Sequence, residues 1–112
     1  MLLWKFFENG TNHGLTLYQG DVIISQNGFA VIVDNVEKFL LDHSSFSGTL
    51  FDSAFSLSNT GEKISLRNAE LNDVDLVDYS SDLGATGDGN SLQKINNQWV
   101  SALPTPGELN TK

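Results

Sequence analysis

The chain has 112 residues, with 6 Lys or Arg against 14 Asp or Glu, a formal charge of −8 and no cysteine. That length suits one domain whose modest core needs neither metal nor disulfide, and the cysteine count excludes thiol catalysis, cysteine zinc sites and disulfides. Without a basic cluster, nucleic acid and anionic membranes are disfavoured partners, and no run reaches the ~18 apolar residues of a membrane span.

In chain order, short apolar runs alternate with turn residues, which predicts an all-β fold. Leu2 to Phe7 is the first predicted strand, closed by Asn9-Gly10. Lys5 and Glu8 break the apolar start, so it does not read as a secretory leader. Leu15 to Tyr18 and Asp21 to Ile24 are further strands, ended by Asn27-Gly28. Phe29 to Val33 is continuously apolar and predicts a central strand covered on both faces. One short helix follows near residues 35–42, with Asp34 as cap, Glu37 three residues on, and Val36, Phe39 and Leu40 on one face. Such a helix is too short to stand alone in water and must lie on the sheets.

Strands resume at Thr49 to Phe51, at Lys63 to Leu66 after a turn through Ser58 and Gly61, and at Val74 to Tyr79 after a turn through Asn68 and Asn72. In the last of these, Asp75, Val77 and Tyr79 share one face, and Val74, Leu76 and Asp78 the other. Ser81 to Asn90 is a Gly/Asp-rich loop, Ser91 to Lys94 and Gln98 to Ser101 form a hairpin across Asn96-Asn97, and Pro104 to Gly107 stops ladder pairing. No internal repeat or composition shift marks a second domain. The expected organisation is one domain over residues 1–110 and a tail at 111–112.

Few residues are equipped for catalysis. His13 reads as a solvated turn residue, and His43 as a helix C-terminal residue that meets the last carbonyls. No nucleophile elbow occurs. Asp75 would need hydrogen-bond partners if its face turned inward. Asp82, Asp88 and Asn90, in the acidic loop, are the candidate Ca²⁺ ligands, because Ca²⁺ takes Asp, Asn and carbonyl oxygens. Their spacing does not follow an EF-hand, and a glycine-rich loop with no metal and no cofactor is the favoured reading. Trp4 and Trp99 read as packing residues rather than ligand platforms.

Phe55, Leu57, Ser58, Asn59, Gly61, Glu62, Ile64 and Leu66 follow the pattern F-x-L-S-N-x-G-D/E-x-I-x-L, and the segment thereby resembles the core of lamin tail domains. The segment from Val74 to Tyr79, with Val77, is similar to that family's V-D-x-V-x-Y strand. The segment from Gly87 to Lys94 resembles its G-x-G-x-S-L-x-R strand, and Trp99 with Pro104 to Asn110 its W…P-T-P-G-x-x-N close. Gly28 to Val33 is similar to its G-x-x-x-V-V strand. The pieces stand in the family's order over residues 28–110.

The resemblance implies an immunoglobulin-like β-sandwich in which Phe55, Leu57, Asn59, Gly61, Ile64, Leu66, Val77 and Trp99 define the fold. The family's opening segments, such as I-x-E-I and E-W-I-E-L, have no counterpart here, which implies an N-terminally incomplete domain. The expected consequence is an open sheet edge at Leu3, Lys5 and Phe7, where a partner strand or a second copy would pair. The function implied is a non-catalytic binding or spacer module of a larger, extracellular or cell-surface protein. The alternatives are an accessory domain beside a hydrolase or nuclease, and a Ca²⁺-dependent adhesion module.

Overall fold

A computed structural model describes residues 3–110. It is built mostly of strands in three sheets, with one short helix, which is compatible with an all-β sandwich. The ends of two expected elements, Leu2 and the tail at 111–112, lie outside the described residues.

The chain enters as β1 (Lys5–Glu8), turns at Asn9-Gly10 and returns as β2 (Thr11–Gly14). Asn9 and Gly10 both have positive φ, 48° and 73°, the twist that a two-residue hairpin turn demands. β2 was absent from the expected elements because its sequence, Thr-Asn-His-Gly, has no apolar alternation; the turn and the ladder hold it.

β3 (Thr16–Gln19) begins a second sheet. The expected strand at Asp21 to Ile24 does not form. There the Asp21 carboxylate accepts the N–H of Ile23 (3.2 Å), and the Asp21 N–H is given to the Thr49 hydroxyl. A local Asx turn replaces a ladder.

β4 (Ala30–Val33) and β5 (Thr49–Asp52) pair in parallel, and the sheet order is β3-β5-β4. β4 is therefore an edge strand, not the expected central one. The strand covered on both faces is β5: Leu50 and Phe51, on opposite faces, are 0% and 1% exposed. Parallel pairing needs a crossover of a dozen or more residues, and the segment carrying α1 (Val36–Asp42) supplies it. The helix cap is Asn35, whose Oδ1 accepts the N–H of Lys38 (3.0 Å), not Asp34. Asn35 has the extended backbone that an N-cap requires. Val36, Phe39 and Leu40 are half-buried, as the periodicity predicts, and Leu41 points outward.

β6 (Gly61–Arg67) and β7 (Asp73–Ser80) complete the first sheet, in the order β2-β1-β6-β7. The register opposes Gly61 to Ser80 and Ile64 to Val77, with a bulge near Arg67. Gly61 has φ +124°, and a Cβ there would lie 2.5 Å from the Tyr79 carbonyl oxygen. Only glycine lets the two backbones meet this closely. A 3-10 turn (Ser81–Leu83) leads to the hairpin of β8 (Ser91–Ile95) and β9 (Gln98–Ala102). Asn96 and Asn97, both at positive φ, form its turn.

Ser53 staples the sheets together. Its N–H donates to the Val33 carbonyl (2.9 Å), and its hydroxyl to the Gly14 carbonyl at the end of β2 (2.8 Å). Phe55, just beyond, packs its ring 4.8 Å from that of Phe6 on β1. The buried Ser53 thus has its N–H and hydroxyl satisfied where the two sheets meet.

Candidate functional site

The expected partner edge is closed. β1 lies between β2 and β6, with Lys5 paired to both Gly14 and Arg67, and Phe7 to both Asn12 and Ser65. Leu3 precedes the strand and is exposed. The Asn9-Gly10 turn is the cause, since it folds the polar β2 onto the flank that the resemblance implied to be open.

The free edges lie elsewhere, and β7 is the longest strand that carries one. It has eight residues and is outermost in the four-stranded sheet. Val74 and Leu76 are 51% and 56% exposed on it, and Asp75 and Asp78 are exposed too. Asp75 meets no buried turn; its Oδ1 accepts the N–H of the next residue, Leu76, at 2.9 Å. Asp73 is held differently. Arg67 Nε donates to it at 2.9 Å and the Ser65 hydroxyl at 3.0 Å, and these bonds hold its carboxyl below the usual range. Arg67 also lies 3.6 Å from the centre of the Phe7 ring and donates to Asn12, so one guanidinium ties β6 to β1, β2 and β7.

His13 is not a solvated turn residue. The register places it on β2, diagonal to Glu8 on the same face, and Nε2–H donates to Glu8 Oε1 at 2.8 Å. The Glu8 side chain is 6% exposed, and that of His13 18%. A carboxylate this buried requires such a donor. His13 borders a polar cleft of about 600 Å³, lined also by Thr16, Asp34, Asp52 and Ser53. A nucleophilic serine would need its hydroxyl on an imidazole nitrogen. Here Ser53 donates to the Gly14 carbonyl instead, and His13 Nε2 is engaged by Glu8.

A second groove, of about 730 Å³, runs between the segment after α1 and the C-terminal Pro104–Glu108 stretch, with Phe29, His43 and Phe46 among its walls. Phe46 stands edge-on to Phe39, 5.2 Å away, and its ring lies against Gly107. His43 caps α1: its N–H donates to the Phe39 carbonyl, and its ring lies 4.9 Å from the Phe39 ring. It sits at the helix end as the sequence indicates.

Asp82 lies in the 3-10 turn, and Asp88 and Asn90 in the loop beyond. Asp88 Oδ1 accepts the N–H of Asn90 at 3.0 Å, so one of the three candidate ligands already closes a loop turn. Among the described residues, no three His, Asp or Glu side chains gather as a metal site, and no helix is long and apolar enough to cross a membrane.

Three of the motif residues, Ser58, Glu62 and Tyr79, meet at one corner. Tyr79 donates to the Ser58 carbonyl at 2.6 Å and to Glu62 Oε1 at 3.4 Å, and Glu62 Oε1 also takes the Ser58 N–H at 2.9 Å. Burial, then the nearby Glu62 charge, raises the Tyr79 pKa above its ordinary value. Phe55, Ile64, Leu66, Val77 and Trp99 are half-buried, Asn59 is exposed in the turn, and Leu57 is 45% exposed. Leu57 is thus not a core residue, because the segment from Ala54 to Ser58 lies outside the ladders. Trp4 is half-buried as well. The Glu8–His13 pair and the Asp75 cap escaped the sequence reading, since only the hairpin register and the edge position reveal them. No family model, curated protein or solved structure matches this chain.

Proposed function

We propose that the chain is a non-catalytic binding and spacer module of the lamin-tail type, which holds a protein partner by strand addition along β7. The observation that carries this reading is the unpaired flank of an eight-residue strand with apolar side chains exposed beside it. Such an edge is a template for an extended segment, whose main chain supplies affinity and whose alternate side chains supply selectivity.

Two further features support it. Four side chains able to do chemistry are used as structural ties: Ser53 on Gly14, His13 on Glu8, Tyr79 on Ser58 and Arg67 on Asp73. The other candidate edges are shorter: β2, β3 and β4 have four residues each and β8 and β9 five, and the Ser53 hydroxyl occupies the last carbonyl of β2.

The test is selection of binders from a displayed library of short random peptides, followed by mapping on the isotope-labelled protein by nuclear magnetic resonance. Binders that shift the amides of β7 support the reading. Binders that map only to the groove beside Phe46 or the cleft beside His13 would replace it with a small-ligand function.

A further inference from the structure

We propose that the strand β7 accepts is basic, and that the Asp75 carboxylate is a latch which this strand displaces; the inference rests on the reading of β7 as the docking edge.

In the free protein the Leu76 N–H is engaged by the side chain of its own neighbour. An incoming strand needs that N–H for its ladder. The carboxylate must therefore swing away, and it is left as an exposed anion beside the partner's backbone. Asp78, on the same face as Leu76, is a second exposed anion of this edge, with Lys63 across the register on β6. Asp73 is not available, because Arg67 and Ser65 already hold it.

A second copy is a poor occupant. It would bring a second pair of exposed aspartates to the same edge, on bodies that each carry −8. A strand with lysine or arginine opposite Asp75 and Asp78 answers both charges, and a β-branched residue opposite Leu76 covers its exposed side chain. For antiparallel pairing the recognised order is basic, any, β-branched, basic. The latch has a second effect. While closed, it shields the edge amide from uncharged strands, so Asp75 both rejects nonspecific pairing and selects charge.

The experiment uses three short peptides with that order, carrying lysine, glutamine or glutamate at the two basic positions. They are titrated into the whole chain and into Asp75→Ala and Asp78→Asn, with amide shifts on β7 and a thermal melt of each variant as the folding control. On the unaltered chain the lysine peptide binds about threefold to tenfold more tightly than the glutamine peptide, the gain of two exposed cross-strand ion pairs, and the gain shrinks with added salt. Asp75→Ala tightens the glutamine peptide by about twofold to tenfold, because no hydrogen bond must be broken first. Asp78→Asn weakens only the lysine peptide.

Equal binding of lysine and glutamine peptides to β7 would overturn the charge selection while leaving the docking edge intact. An Asp75→Ala variant that binds the glutamine peptide no more tightly would overturn the latch. Failure of every peptide to shift β7, on the chain and both variants, would overturn the docking edge itself.

Discussion

Replacing Gly61 by alanine tests how tightly β6 and β7 close on each other. Gly61 has φ +124°, and the added Cβ would meet the Tyr79 carbonyl oxygen at 2.5 Å and the Ser80 Cα at 2.8 Å. Both are backbone atoms of the partner strand, so relief requires the ladder to open at Gly61 and Ser80. The strained dihedral costs about 1–3 kcal/mol, and the crowding about as much again. The expected loss is about 3 kcal/mol, or roughly 13 °C in melting temperature for a chain of this size. Gly10→Ala is the internal control: its φ is +73°, but nothing lies within 4 Å of the new Cβ, so only the dihedral term of about 1 kcal/mol applies. Urea unfolding followed by circular dichroism measures both. Loss in Gly61→Ala within about 0.5 kcal/mol of that in Gly10→Ala, a margin near the usual measurement scatter, would refute the close approach.

Four further outcomes follow from the contacts. His13→Ala leaves the Glu8 carboxylate buried without its donor and lowers unfolding stability by about 2–3 kcal/mol, measured by the same denaturation; a neutral result would mean Glu8 reaches water. Tyr79→Phe costs about 1 kcal/mol. Because folding raises the Tyr79 pKa, its contribution is whole below about pH 10 and fades as pH rises through the higher folded value, so the alkaline decline in melting temperature is shallower in Tyr79→Phe. Folding lowers the Asp73 pKa, so its contribution is present above about pH 3.9 and is lost as pH falls through the lowered folded value; Asp73→Asn should flatten the acid limb of stability. Melts in millimolar calcium and in chelator should coincide, since Asp88 already closes its own turn onto Asn90; a rise of several degrees with calcium would place a cation among Asp82, Asp88 and Asn90.

Much of the secondary structure is legible in the sequence wherever local chemistry dictates it. Asn96-Asn97 and Asn9-Gly10 accept positive φ, and both sit at hairpin turns. The helical spacing of Val36, Phe39 and Leu40 places α1 within a residue or two. What the sequence hides is long-range pairing. Nothing in Phe29 to Val33 distinguishes a central strand from an edge, because strand apolarity reports burial and not the number of neighbours. The parallel pairing of β4 with β5 depends on where the crossover deposits the chain. β2 is polar throughout and exists through a turn and a ladder, so the flank of β1 looked open when it was covered. The same blindness applies to the candidate surface. The acids of β7 are plain in the sequence, yet Asp75 becomes a cap only because its strand ends the sheet.

The most direct measurement is hydrogen–deuterium exchange of the whole chain, alone and saturated with a library-selected peptide. Slowing concentrated in β7, with β1 unchanged because both its flanks are already paired, is the expected result. Slowing at residues 5–8, or only in the loop of Asp82 to Asn90, with β7 unaltered, would contradict the account.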